Sequence, residues 1–295
     1  MKIFVSRSIV GNAFMNTQQL QKLSTQFRLE VLHATHKAAS GHPTTAFSAM
    51  EILTFLYFGD TDGTPIMRLD SQKPQWADRD YFILSKGHGC PALYVILANL
   101  GFFPKEELNH LRQLGALLEG HPVNKIPGIE ATTGPLGQGI SFGNGIAIAL
   151  KMDKKPNRVY VLCGDGELQE GQIWEAAMNS AHRKLDNLTV FIDNNKLQQT
   201  NFTRAIKPVE PIGQKFAAFG WNVINVADGH DFDELKSAVK RAWKCKLKPT
   251  VIVCDTVKGK GIPFAENKAG YHGVALSKEE MAVAVPILEK ALTQE

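Results

Sequence analysis

The stretch Arg158-Val159-Tyr160-Val161-Leu162-Cys163-Gly164-Asp165-Gly166-Glu167, answered by Leu188-Thr189-Val190-Phe191-Ile192-Asp193-Asn194-Asn195, decides how this chain is read. Each half opens as an apolar, strand-like run and closes on polar residues. Between them, Ile173, Trp174, Ala177, Met178 and Ala181 recur at helical spacing. Strand, helix and strand in that order predict a βαβ unit whose strands are parallel and close in one sheet. Parallel strands end on the same edge, where open α/β sheets bind ligands. Asp165 and Asn195 should therefore converge, although they lie far apart in the chain. A carboxylate beside a neutral amide oxygen suits a hard dication such as Mg²⁺, which takes oxygen ligands and shares its shell with phosphates. The glycines flanking Asp165 let the backbone turn sharply and approach a bulky anion. A helix beginning near Glu170 would aim its free N–H groups at the same edge.

A lone Gly-Asp-Gly is a common turn. Followed in register by helix, strand and Asn194-Asn195, it resembles the thiamine diphosphate motif. That resemblance implies that Asp165, Asn195 and the carbonyl of Leu197 hold Mg²⁺, or Ca²⁺ or Mn²⁺ in its place, against the diphosphate of thiamine diphosphate.

With 295 residues, 44% of them hydrophobic, the chain can bury a large core in one domain or two small ones. A net charge of +4 suits small anions but comes without the long Lys/Arg blocks of a nucleic-acid binder. Lys244, Lys246 and Lys248 read as a solvated helix end. Cys90, Cys163, Cys245 and Cys254 form no C-x-x-C pair, so neither a zinc site nor a disulfide framework is indicated, and Cys163 and Cys254 read as packing residues. No apolar stretch approaches transmembrane length, so no membrane is expected as a partner and the cytoplasm is the default location. Residues 1–14 read as a loosely ordered leader ahead of a second plausible start at Met15. Residues 15–295 then form a single domain.

Alternating β and α elements argue for an α/β fold, a central parallel sheet with helices on both faces. The patterns predict helices over 17–39, 46–58, from 89 through 100, to 150 after the turn at 132–139, over 233–244 and over 278–292. Further strands are expected at 80–85, 221–226 and 250–255. Of the nine histidines, five sit beside glycine: His42, His88, His121, His230 and His272. Such residues project from turns, where catalytic groups are often carried. His230 reads as a surface turn residue ahead of the helix cap Asp231.

Ser40-Gly41-His42-Pro43, Leu84-Ser85-Lys86-Gly87-His88, Glu119-Gly120-His121-Pro122, Thr133-Gly134-Pro135-Leu136-Gly137-Gln138-Gly139, Gly164-Asp165-Gly166-Glu167-Leu168-Gln169-Glu170-Gly171 and Tyr271-His272-Gly273 resemble, in order, the successive signatures of the transketolase family. The resemblance covers the chain from about residue 16 onward and implies a thiamine diphosphate-binding fold. It implies that His88 and His272 contact the diphosphate, and that His272 and His42 also touch sugar hydroxyls. His121 would bind the donor's first hydroxyl. Gly134, Pro135 and Leu136 would line the aminopyrimidine, and Gly164 and Gly166 would belong to the diphosphate cradle. Glu170 would act in a hydrogen-bonded network at a subunit contact, with Glu175 beside it. The plain alternative for both is a carboxylate in the first turns of a helix, stabilised by the helix dipole. Imidazoles near neutral pH can pass protons while hydroxyls become carbonyls.

A full-length transketolase is roughly twice this size, and its middle domain carries the glutamate that activates the cofactor. The chain therefore resembles the N-terminal subunit of a split transketolase, completed by a C-terminal subunit bearing the pyrimidine domain and the activating Glu, expected as an α₂β₂ assembly. The implied reaction moves a two-carbon ketol unit from a ketose phosphate, such as xylulose 5-phosphate, to an aldose phosphate, such as ribose 5-phosphate. A 1-deoxyxylulose-5-phosphate synthase-like enzyme and a non-catalytic thiamine diphosphate-binding protein are the alternatives.

Overall fold

The computed structural model describes residues 14–294, so the expected leader lies, Phe14 apart, outside the described residues. Helix α1 (Thr17–Lys37) starts at a reciprocal cap. Gln19 N–H donates to Asn16 Oδ1 and Asn16 N–H to Gln19 Oε1, both at 2.9 Å. The chain then turns at Ser40-Gly41-His42 into α2 (Pro43–Ser48) and α3 (Met50–Phe58). The single helix expected over 46–58 is thus two helices, parted at Ala49, whose φ of −100° and ψ of 3° leave the helical region. Next come the short paired strands β1 (Asp60–Thr61) and β2 (Thr64–Pro65), then β3 (Tyr81–Leu84), α4 (Cys90–Asn99) and α5 (Gly139–Met152). Strand β4 (Val159–Gly164), α6 (Gly171–His182) and β5 (Leu188–Asn194) form the expected βαβ unit. Helices α7 (Thr203–Ile206) and α8 (Ile212–Ala218), β6 (Asn222–Val226), α9 (Phe232–Lys244), β7 (Thr250–Asp255) and α10 (Lys278–Gln294) complete the order.

Strands β3 to β7 build one all-parallel sheet in the order β3-β4-β5-β7-β6. Strands β4 and β5 pair from Val159 with Leu188 to Gly164 with Asp193. Strand β5 outruns its apolar segment because its pairing with β7 continues to Asn194 with Asp255. Side chains alternate between the faces. Tyr160, Leu162 and Phe191 pack with residues of α1, α3, α4 and α9, while Val161, Cys163, Val190 and Ile192 pack with α5, α6 and α8. The connection from β6 to β7 runs back toward the sheet centre, so a right-handed crossover carries α9 to the face opposite α6 and α8. That reversal opens the strand ends at β5 and β7, the kind of place where such sheets receive ligands.

Asp231 caps α9 as expected, accepting from Asp233 N–H at 2.7 Å and Glu234 N–H at 3.0 Å. Helix α10 lies on α1 rather than on the sheet, burying Met281, Ala284 and Leu288. All four cysteines are free, and Cys163 and Cys254 are buried. Among the described residues no helix is long and apolar enough to cross a membrane.

Candidate active site

The tips of β3, β4, β5 and β7 meet at the C-terminal edge of the sheet. Asp165 follows β4, and its amide donates to the Asp193 carbonyl at 3.2 Å. The amides of Gly166 beside it and of Lys196 on the neighbouring tip favour the charged form of its carboxyl. The expected convergence of these tips is therefore present in the backbone. One carboxylate oxygen, Oδ2, is buried without a hydrogen bond. Burial first, and then the nearby Asp193 charge, push the Asp165 carboxyl up to about 7. An orphaned buried oxygen of this kind is costly unless a cation meets it.

Asn195 is engaged at both ends of its amide. Oδ1 accepts from Leu197 N–H at 3.0 Å, and Nδ2 donates to Asp193 Oδ2 at 3.1 Å and Ser48 Oγ at 3.3 Å. Its carbonyl keeps a second lone pair. Between them Lys196 takes a φ of 64°, the tight turn that sets Leu197 just beyond Asn195. Among the described residues no three His, Cys, Asp or Glu gather into a metal cluster. One carboxylate, one amide oxygen and one backbone carbonyl are the donors on offer, an all-oxygen set that fits Mg²⁺.

Two further buried acids, Asp193 and Glu167, hold this edge together. Asp193 takes an ion pair from Lys86 and hydrogen bonds from Ser48, Thr256 and Asn195. Burial raises its carboxyl, but Lys86 and these donors bring it below the usual range. Glu167 accepts from Ser85 Oγ, from Gly137 N–H at 2.8 Å and from Gly164 N–H at 3.0 Å, clamping the β4 tip to the turn after β3 and the loop before α5. The clamp, with Thr133 Oγ1 donating to Leu84 O at 2.8 Å, keeps residues 132–138 as a loop ahead of α5. A readable signal existed for Asp193: a charge ending an otherwise apolar, buried strand must be compensated. Lys86, between Ser85 and Gly87, carried a similar hint.

His42, His88 and His272 form a triangle. Ring centroids lie 5.2 Å apart for His42 and His88, 5.3 Å for His42 and His272, and 5.4 Å for His88 and His272. His42 caps the start of α2, His88 sits in the turn after β3, and His272 belongs to the loop after β7. Only glycine fits at Gly273, which has a φ of 73°, because a Cβ there would lie 2.9 Å from His42 Nε2. Burial, then neighbouring cations, lower His42 to about 4 and His272 to about 3, and push His88 well down. All three are neutral at pH 7. His42 Nδ1 is buried without a partner. Lys258 Nζ stands 2.8 Å from His272 Nδ1. Burial lowers this lysine to about 8, so it remains an ammonium at pH 7 and can only donate.

His121 is half-buried against Gly134, where a Cβ would lie 3.4 Å from its Cγ. Burial and then Arg112 lower its pKa. Pro135 is exposed and Leu136 partly so. Gly164 is buried in the β4 tip, and Gly166 lies beside Gln198, which a Cβ would approach to 3.1 Å. Glu170 stands at the start of α6 and Glu175 one turn on, both exposed in this chain. Glu170 packs on Gly137, whose φ of 84° and 2.8 Å approach to Glu170 Cβ leave no room for a side chain. The site therefore gathers His42, His88, His272, Asp165 and Asn195, leaving the two glutamates outside it. His230 is not the surface turn residue expected. It is buried, because its ring turns inward onto Glu51 and the β7 loop.

The family described as transketolase, thiamine diphosphate binding domain, matches residues 20–288. The 6-deoxy-6-sulfo-D-fructose transketolase subunit of Clostridium sp. (strain MSTE9) is 44% identical over 279 residues, covering 94% of this chain and 99% of that protein. An apulose-4-phosphate transketolase subunit of Phocaeicola vulgatus is 38% identical over 271 residues, covering 92% and 94% respectively. The solved transketolase of Campylobacter jejuni superposes with a TM-score of 0.86 at 31% identity, over 93% of this chain but only 43% of its own. These likenesses show that the chain belongs to the transketolase family, as its thiamine diphosphate-binding domain.

Proposed function

We propose that this chain is the diphosphate-binding subunit of a two-subunit transketolase, working with a separate C-terminal subunit in an α₂β₂ assembly. The observation that carries the reading is the buried, partnerless oxygen of Asp165, joined to the triangle of neutral histidines through Lys258, which stands on His272 and feels the Asp165 charge. Asp165, Asn195 and the Leu197 carbonyl would hold Mg²⁺. Gly164, Gly166, His88 and His272 would face the diphosphate, and Gly134, Pro135 and Leu136 the aminopyrimidine. Thiamine diphosphate supplies the electron sink that lets a ketose lose its bond beyond the carbonyl. The protein orients the donor and handles its protons. His42, whose Nδ1 is buried without a partner, would touch a sugar hydroxyl, and His121 would take the donor's first hydroxyl. Neutral rings can exchange protons as hydroxyl and carbonyl interconvert. Glu170, with Glu175, would serve at the contact between two copies. Exposed Phe142 on α5 and Met178 on α6 support such a contact.

The relatives named as subunits are matched over 99% and 94% of their own lengths, which supports a split enzyme. They are named for a sulfonated fructose and for apulose 4-phosphate, so the donor here is a ketose with a terminal anion, phosphate or sulfonate. Mixing the purified chain with its C-terminal partner tests the reading. Ketol transfer from xylulose 5-phosphate or 6-deoxy-6-sulfofructose should appear only in the mixture. Turnover by this chain alone would rule the split out. Carbon dioxide release from pyruvate would instead favour the synthase-like alternative.

A further inference from the structure

Lys258 can stand on His272 only if the segment after β7 is held in place, and one of its tethers comes from outside the site. Val257 N–H donates to Nε2 of His230 at 2.9 Å. The other ring nitrogen, Nδ1, lies 2.7 Å from Glu51 Oε2. Glu51 also receives the Arg28 guanidinium, at 2.6 Å on Oε1 and 2.7 Å on Oε2. Arg28 donates further to the Phe47 carbonyl at 3.1 Å. Arg28, Glu51 and His230 are all buried. A carboxylate held by an arginine only accepts, so Nδ1 of His230 carries the proton and Nε2 keeps the lone pair that Val257 uses. The buried row thus runs from α1 through α3 to the turn before α9, and ends on the residue preceding Lys258.

We propose that His230 is a positioning residue for the site: by holding Val257 it sets Lys258 on His272 Nδ1, which keeps the His272 proton on Nε2. The importance of that proton for the reaction rests on the proposed function, whereas the geometry does not. Two further tethers on the same segment come from α2. Gly259 N–H donates to Thr44 O at 3.0 Å, and Thr44 Oγ1 donates to Tyr271 O at 2.9 Å. Were those sufficient alone, His230 would be dispensable for His272, and this is the alternative the experiment separates.

Two substitutions divide the ring's two bonds. His230→Gln places an amide oxygen where Nε2 was, keeping an acceptor for Val257 while losing the donor to Glu51. His230→Asn keeps a donor for Glu51 and loses the acceptor. Long-range ¹H–¹⁵N spectra of the full chain read the His272 tautomer directly. H230Q should retain a single Nε2–H form at His272, as in the wild type. H230N should show mixed tautomers, and Lys258→Met should do the same with His230 intact. With Mg²⁺ present, calorimetry should find thiamine diphosphate affinity lowered about 10- to 100-fold in H230N, the scale for a group that orients a binding histidine, and near wild type in H230Q. Retention of one tautomer in H230N, or its loss in H230Q, overturns the proposal. If H230N does not fold, H230Q and K258M decide: a single form in the first and a mixture in the second support it, and any other pattern sinks it. A wild-type complex that fails to bind thiamine diphosphate would count against the proposed function, leaving the tautomer result to judge this inference by itself.

Discussion

Two aspartates stand on neighbouring strand tips, Asp165 beyond β4 and Asp193 near the end of β5, and their surroundings drive them in opposite directions. Both are buried. Asp193 meets a lysine, two hydroxyls and an amide, so its charge is fully answered and its carboxyl is held low. Asp165 has nothing on Oδ2, and burial with the nearby Asp193 charge raises its carboxyl to about 7. The first behaves as an anchor that fastens β3, β5 and β7 together. The second is kept short of partners, which is what a ligand position for an incoming cation requires. Neither position is distinguished by burial alone; the difference lies in what faces the free lone pairs.

Removing the anchor should have the largest effect. Asp193→Ala leaves the Lys86 ammonium buried without its partner, and breaking a buried pair in this way costs about 3–5 kcal/mol. Urea denaturation measures it; a loss under about 1 kcal/mol would mean that Asp193 does not anchor the edge. Asp165→Asn should act on the ligand instead. Affinity for Mg²⁺ with thiamine diphosphate should fall at least about 100-fold, the upper scale for disturbing a metal site, while the metal-free chain stays folded. Calorimetry and a melting curve on the same samples separate the two effects.

The pH dependence of the metal-free chain sharpens the contrast. With its pKa raised from 3.8 to about 7, Asp165 holds a proton in the folded state that the unfolded chain has already released. Between about pH 4 and 7 the native state therefore binds more protons, and this residue makes stability fall as pH rises, by at most about 1.4 kcal/mol per pH unit. D165N lacks that slope, so its stability relative to wild type should climb across the window. The lowered pKa values of His42 and His272 work the other way, removing stability as pH falls below 6.5, but they act alike in both chains and cancel in the difference. Parallel slopes for the two proteins would show that Asp165 is answered after all. The smallest effect belongs to Glu175→Ala. Exposed on α6, it should change the stability of the lone chain by less than about 0.5 kcal/mol, and matter only where copies associate, as sedimentation would reveal.

Much of this arrangement is written locally. Apolar runs ending at Cys163 and Ile192, with a helical pattern between them, state the βαβ unit, and parallel pairing then brings Asp165 and Asn195 to one edge without further information. Of the glycines in these motifs, Gly166 and Gly273 stand where another side chain comes close, whereas Gly164 simply ends β4. Asp231 announces a helix start because a cap is a contact between residues three apart or fewer. Helix bounds were less legible. Positions 46–58 look continuous by periodicity, yet Ala49 breaks them, with Ser48 turned to Asp193 across 145 positions of chain.

What periodicity and motif could establish about this molecule ended with its strand tips, its caps and the order of its signatures, since all of these depend on neighbours in the chain. Which charges are answered was decided in three dimensions. Asp193 and Asp165 each look like an acid at the end of an apolar strand, and only the arrival of Lys86 from beyond β3 and Thr256 from beyond β7 makes one an anchor and leaves the other open. His230 shows the same limit: beside glycine it looks like any turn histidine, and its role comes from Glu51 on one nitrogen and Val257 on the other. The physical reason is common to all three. In a low-dielectric interior the state of an ionisable group follows from the partners within hydrogen-bond reach, and those partners are brought there by folding.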